Sequence, residues 1–167
     1  MTPLYDPCRV RALALPHRIV MAPLTRNRAA GTVPNALMAT YYAQRADPAT
    51  GAALIISEAT QVDPMGQGYV DTPGLHSAEQ VAGWRQVTQA VHARGGLIAA
   101  QLWHVGRISH VSLLPGGASP VSCTARESGT RTLTADGLHA CSPPRALRDD
   151  EMPGVVAAFA RAAAMAM

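Results

Sequence analysis

The chain has 167 residues, 48% hydrophobic and 15% charged, a balance that fits one ordinary globular domain and excludes disordered and fibrous classes. Its formal net charge of +3 comes from scattered arginines without a basic run, and aromatics make up 4%, so a nucleic-acid partner is not indicated. No apolar stretch approaches the roughly 18 residues of a membrane-spanning helix, and Asp6 with Pro7 interrupts any leader-like N-terminus, so the expected location is cytoplasmic.

Residues 18–25, RIVMAPLT, form an apolar run closed by proline and polar residues, and predict a buried strand. After a turn at Gly31, Pro34-Asn35 opens a helix in which Leu37, Met38, Tyr41, Tyr42 and Arg45 share one side, stopped by Asp47-Pro48. Residues 53–58, ALIISE, predict a second buried strand, too short for a buried helix. Ser77 followed by Gln80 makes a capping box, Val81, Trp84, Val87 and Val91 give an apolar stripe, and Gly95-Gly96 stop that helix. Residues 97–103, LIAAQLW, leave directly from the glycines as a third strand.

Residues 106–147 are rich in Gly, Pro, Ser and Thr, with a β-like piece at residues 121–124 and a turn at Ala135-Asp136-Gly137. A loop of that length is expected to be functional or to carry an inserted hairpin. Asp149, Asp150 and Glu151 then bring three carboxylates to the start of a last helix, where free backbone N–H groups favour negative charge. Pro153 fits its first turn. Met152, Val155, Val156, Phe159, Ala160 and Ala163 predict its core-facing stripe, which runs toward Met167 without a cap.

Alternating strands and helices with nearly continuous apolar strands predict an α/β fold with a parallel sheet and right-handed crossovers. No GxGxxG or Walker-type loop follows any strand, which favours part of a (β/α)8 TIM barrel over a doubly wound nucleotide-binding sheet. In such a barrel the reactive groups stand at the C-terminal ends of the strands. Thr25 and Gln101 there are uncharged hydrogen-bonding side chains suited to a neutral planar ligand, which Trp103 is placed to wall. From spacing alone, the same residues also fit a turn threonine, a solvated glutamine and a core tryptophan. His104 has no acid, nucleophile or second ligand at a telling spacing and reads as a loop histidine. Cys8, Cys123 and Cys141 form no CxxC pair, and His139 near Cys141 is too little for a metal site, so no metal is expected.

Five motifs follow in order: RIVMAPLTR at residues 18–26, YYAQRA at 41–46, LIISEAT at 54–60, GYVDTPG at 68–74 and QLWHVGR at 101–107. In this order they resemble the Old Yellow Enzyme family of flavin oxidoreductases, and the resemblance runs from Leu4 through PRAL at residues 144–147 and DEMPG at 150–154. It implies that residues 1–167 are the N-terminal fragment of a single FMN-binding barrel domain: the first three β/α units, with a loop or hairpin insertion after the third strand. By resemblance Pro23, Leu24 and Thr25 line the isoalloxazine, with the Thr25 hydroxyl on a ring carbonyl oxygen. Ala59 matches the small residue whose backbone meets the ring edge, and Gln101 the amide at the pyrimidine end. Tyr69 and Trp103 match residues that shape the substrate pocket.

The implied reaction moves hydride from NADH or NADPH to FMN, and on to the β-carbon of an alkene conjugated to a carbonyl or nitro group. The family's substrate-anchoring His with Asn or His, its proton-donor Tyr and its phosphate site lie beyond the position matching Met167. No catalytic residue is therefore assigned, and neither His104 nor His110 matches the missing role. The isolated chain is expected to be inactive, with open barrel edges that favour self-association or a complementary chain. The alternative expectation is a non-catalytic truncated remnant or assembly module. Arg126 and Arg131 read as solvated surface arginines.

Overall fold

The computed structural model describes residues 3–167, where a 3-10 turn (Pro3–Tyr5) precedes a hairpin that no sequence pattern signals. Its strands, β1 (Cys8–Val10) and β2 (Leu13–Leu15), pair antiparallel around Arg11 at φ 52°. Each is three residues long and leaves Val10 and Leu13 exposed, so neither length nor alternation marks it out.

The body of the fold alternates β3 (Val20–Met21), α1 (Ala36–Ala43), β4 (Leu54–Gln61), α2 (Ala78–His92) and β5 (Ile98–Trp103). The three strands form one parallel sheet in the order β3-β4-β5. The first strand is far shorter than residues 18–25 suggest, because Pro23 cannot donate to a ladder and the chain leaves the sheet before it. The second is longer, carrying Thr60 and Gln61 into register with Leu102 and Trp103. Both are buried polar residues, so hydrophobicity does not mark them as strand.

Met38 and Tyr42 of α1 and Trp84, Val87 and Val91 of α2 close over Ile55 to form the core, with Met21, Ile98, Ala100 and Leu102 packed against it. Asn35 caps α1 by accepting from the Leu37 and Met38 amides. Leu37, expected on the core side, is 59% exposed. The capping box of Ser77 and Gln80 forms at the start of α2, and Gly95 beyond its end takes φ 78°. Among the described residues no helix is long and apolar enough to cross a membrane.

The long segment after β5 contains β6 (Val121–Ser122), β7 (Arg131–Thr134), β8 (Gly137–Ala140) and β9 (Arg145–Ala146). The middle two pair as an antiparallel hairpin turning at Ala135-Asp136, and β6 pairs parallel with β9. A 3-10 turn at Asp149–Glu151 leads into α3 (Met152–Met165). Its buried face is not the expected one: Ala158 and Ala162 are buried, with Phe159 packed beside them on Val62 and Leu102, while Val156 is 69% and Met152 49% exposed. Small side chains one helical turn apart allow close approach to the sheet, and a stripe read from the larger residues passes them by.

Gly83 lies where α2 touches the backbone ahead of α1, and a Cβ there would stand 2.4 Å from the Pro34 carbonyl oxygen. Gly83→Ala gains helix propensity of about 1 kcal/mol, yet we expect a net loss of about 1–3 kcal/mol from overpacking. Urea unfolding reads this as a lower midpoint; a higher one would contradict the packing.

Candidate functional site

The C-terminal ends of the three parallel strands form a crown, and its geometry depends on an irregularity in β4. Register passes from Ile56 opposite Ala99 to Ala59 opposite Gln101. Ser57 and Glu58 therefore both stand opposite Ala100, which is a β-bulge, a feature that bends a strand and re-aims its side chains. The bulge leaves no polar side chain stranded. Gln101 N–H donates to Ser57 Oγ at 3.0 Å, and the Glu58 carbonyl oxygen accepts from Ser57 Oγ and Thr60 Oγ1, each at 2.9 Å.

Across the bulge, alternation places Ile56, Ala59 and Gln61 on one sheet face with Ala99, Gln101 and Trp103. The other face carries Ile55, Ile98, Ala100 and Leu102 into the core under α1 and α2. Ala59 and Gln101 are direct neighbours across the two strands. Trp103 stacks on Tyr69, with ring centroids 5.7 Å apart and an interplanar angle of 27°. The β7–β8 hairpin grips the chain on both sides of Tyr69: the Thr132 hydroxyl donates to the Gly68 carbonyl, and Val70 N–H donates to the Leu133 carbonyl at 2.9 Å.

The loop after β3 forms the crown's other wall. Pro23 and Leu24 are exposed and Thr25 is half-buried. Among the described residues, neither the Thr25 hydroxyl nor the Gln101 side-chain amide bonds another protein group. Arg26 N–H donates to Glu58 Oε2 at 3.0 Å, and the Tyr42 hydroxyl donates to Glu58 Oε1 at 3.2 Å while accepting from Glu58 N–H at 2.8 Å. Burial pushes the Glu58 carboxyl up from its ordinary value, opposed by those donors. Burial, and then the charge of Glu58, push Tyr42 well above the usual tyrosine range.

His104 follows β5, and burial holds its pKa below the ordinary value against the opposing charge of Asp63. Its Nδ1 accepts from Gly106 N–H at 3.1 Å, which leaves the proton on Nε2 of a neutral ring. His110 bonds Ser112 in the loop beyond. No group of three or more potential metal ligands occurs among the described residues.

Of the residues singled out from sequence, the structure joins Ala59, Gln101, Trp103 and Tyr69, and sets Pro23, Leu24 and Thr25 on the adjoining loop. The Ser57–Glu58 bulge and the link from Tyr42 through Glu58 to Arg26 went unforeseen. Their one trace in the sequence is a Ser-Glu pair inside an apolar strand, where unpartnered burial would be costly.

The family model described as NADH:flavin oxidoreductase / NADH oxidase matches residues 3–167. The chain is 42% identical over 161 residues to 12-oxophytodienoate reductase 1 of Oryza sativa subsp. japonica, covering 96% of this chain and 40% of that protein. It is 41% identical over 167 residues to 12-oxophytodienoate reductase 2 of Arabidopsis thaliana, covering 99% and 44%. Among solved structures, morphinone reductase in complex with tetrahydroNAD superposes with a TM-score of 0.92 at 47% identity, over 99% of this chain and 46% of that one. The old yellow enzyme homologue from Zymomonas mobilis gives 0.91 at 45% identity, over 98% and 44%. The chain thus spans less than half the length of these relatives.

Ser57→Ala removes the acceptor of a strand amide, and we expect a loss of about 1–3 kcal/mol in denaturant unfolding; an unchanged midpoint would contradict the repair of the bulge. Because the folded pKa of His104 is depressed, its contribution to stability is complete above 6.5 and is lost as pH falls through the folded value. Its ring resonances should titrate with a midpoint below 6.5, and one at or above that value would refute the buried neutral ring.

Proposed function

The chain belongs to the NADH:flavin oxidoreductase / NADH oxidase family, and from that premise we propose that it supplies the flavin-facing part of an NAD(P)H-dependent ene-reductase. The proposed architecture is the first three β/α units of a (β/α)8 barrel, with the hairpin after β5 as an insertion. The substrate class is a small alkene activated by a conjugated carbonyl or nitro group. The names of the relatives, reductases of 12-oxophytodienoate and of morphinone, support that class. The complex of morphinone reductase with tetrahydroNAD supports a nicotinamide reductant.

One observation carries the reading: the crown presents uncharged polar groups unspent on protein partners, Thr25 and Gln101, beside the small Ala59. That donor set fits FMN, whose ring system is planar, neutral and lined with alternating donors and acceptors. FMN, when bound, supplies reversible uptake and release of hydride. In this proposal the Thr25 hydroxyl donates to a ring carbonyl oxygen. The Gln101 amide both donates and accepts at the pyrimidine end, and Ala59 admits the ring edge to the backbone. Pro23 and Leu24 supply apolar cover, and the Tyr69–Trp103 stack walls the substrate space and sheds water from it. The His/Asn pair and Tyr that anchor and protonate substrate in the family belong to the part of its sequence that these residues do not span, so the 167 residues alone are not expected to turn over an enone.

A second reading, a module that works with a complementary chain or a second copy, has its own support. The strands β3 and β5 are both sheet edges, and Val20, Leu24 and Val156 are 45%, 53% and 69% exposed.

Titration of FMN with the purified chain, followed by flavin fluorescence, tests the first reading. Saturable quenching is expected, weakened roughly three- to tenfold by Thr25→Ala or Gln101→Ala, as loss of one hydrogen bond of about 1 kcal/mol implies. Absence of saturable binding, or variants that bind like the parent, would contradict it.

A further inference from the structure

Glu58 is 1% exposed and forms no ion pair among the described residues. A buried carboxylate is costly unless hydrogen bonds or a nearby cation satisfy it, and the Arg26 charge, beyond ion-pair reach, also favours the charged form. Its proton count is informative. The Tyr42 oxygen accepts Glu58 N–H, which leaves the one phenolic proton for Oε1, while Oε2 receives the Arg26 amide. Every donor is used and both carboxylate oxygens accept, an arrangement complete with the charged form and short of one partner with the neutral acid.

The Arg26 bond occupies a sparse stretch of chain. The strand β3 ends at Met21, and the next ties to the fold come at Asn27, whose side chain donates to the Val70 carbonyl at 2.5 Å and whose backbone N–H also favours the Glu58 carboxylate. Between them, Arg26 N–H is the only backbone group among the described residues bonded to another element. A crevice of about 110 Å³ bounded by Arg26, Arg28, Leu37, Met38, Tyr41 and Glu58 lies alongside, and the Arg26 guanidinium reaches over the Tyr41 ring at 5.6 Å from its centroid, a side-chain contact that leaves the backbone to the Glu58 bond. The bulge serves both sides of the sheet: Glu58 reaches α1 and the loop, and Ala59 regains the crown face.

We propose that Glu58 and Tyr42 are positioning residues for the flavin: Tyr42 holds the Glu58 carboxylate, which fixes the Arg26 amide and so sets where Pro23, Leu24 and Thr25 meet the ring. This rests on the flavin reading above. Neither residue touches the ring in this account; each acts through the backbone of the loop.

The test measures amide exchange of Arg26 by NMR in the full 167-residue chain, without FMN, for the parent, Glu58→Gln and Tyr42→Phe. The same three proteins are then titrated with FMN. The proposal expects Arg26 exchange to accelerate tenfold or more in both variants, with protection in α2 unchanged and the FMN dissociation constant raised about tenfold. Unchanged Arg26 exchange in both variants overturns it. So does faster exchange that spreads equally through α2, which marks a general folding role; Tyr42→Phe carries this comparison if Glu58→Gln does not fold. If the parent binds no FMN, the flavin reading and the positioning role both fall, whereas faster Arg26 exchange with unaltered FMN affinity overturns the positioning role alone.

Discussion

Two residues of β4, Ser57 and Glu58, stand opposite a single residue of β5, and the polar groups of the crown take their places from that mismatch. An unbulged strand would put successive residues on alternate faces to its end. One extra residue restarts the alternation, so that Ala59 and Gln61 share the face of Gln101 and Trp103 while Glu58 turns toward α1. The cost is an interrupted ladder in a buried strand, and the side chains repair it. The Ser57 hydroxyl takes the Gln101 amide, and the Glu58 carbonyl takes two hydroxyl protons. The bulge is therefore a built feature of the strand, and it sits one residue from the proposed cofactor contact at Ala59.

What surrounds the bulge packs against it and bonds it on both sides. The α1–α2 core packs under the sheet through Met38, Tyr42, Trp84, Val87 and Val91, and Tyr42 joins that apolar layer to the polar one by bonding Glu58 through its hydroxyl. On the far side of the crown, the β7–β8 hairpin secures the residues flanking Tyr69 and so holds the ring against Trp103. Helix packing supports one wall and the hairpin the other.

Elements whose signals are local were legible in the sequence. The helix α2 announces itself by Ser77 and Gln80 at one end, Gly95 at the other and a 3.6-residue stripe between, and each feature acts within a few residues of itself. The bulge was not legible, because register is a relation between two strands and Ser57-Glu58 looks polar only in isolation. The end of β4 was missed for a similar reason: Thr60 and Gln61 are buried by pairing rather than by hydrophobicity. The buried face of α3 went to Ala158 and Ala162, since a small side chain earns its burial from what lies opposite. At the site, strand-end position pointed to Thr25, Gln101 and Trp103, and topology brings the latter two together with Ala59 and Tyr69. The roles proposed for them toward a flavin rest on resemblance to a family, not on spacing.

In the proposed reading the bulged crown, and not another concavity, receives the flavin ring. A cleft of about 260 Å³ between α2 and α3, lined in part by Trp84, Thr88, His92 and Met165, offers the competing location. A crystal structure of the chain grown with FMN decides between them most directly. The ring edge is expected against the Ala59 backbone and the Gln101 amide, with the Thr25 hydroxyl within about 3.2 Å of a ring carbonyl oxygen. A ring seated between α2 and α3, or elsewhere with the crown unaltered, would contradict it.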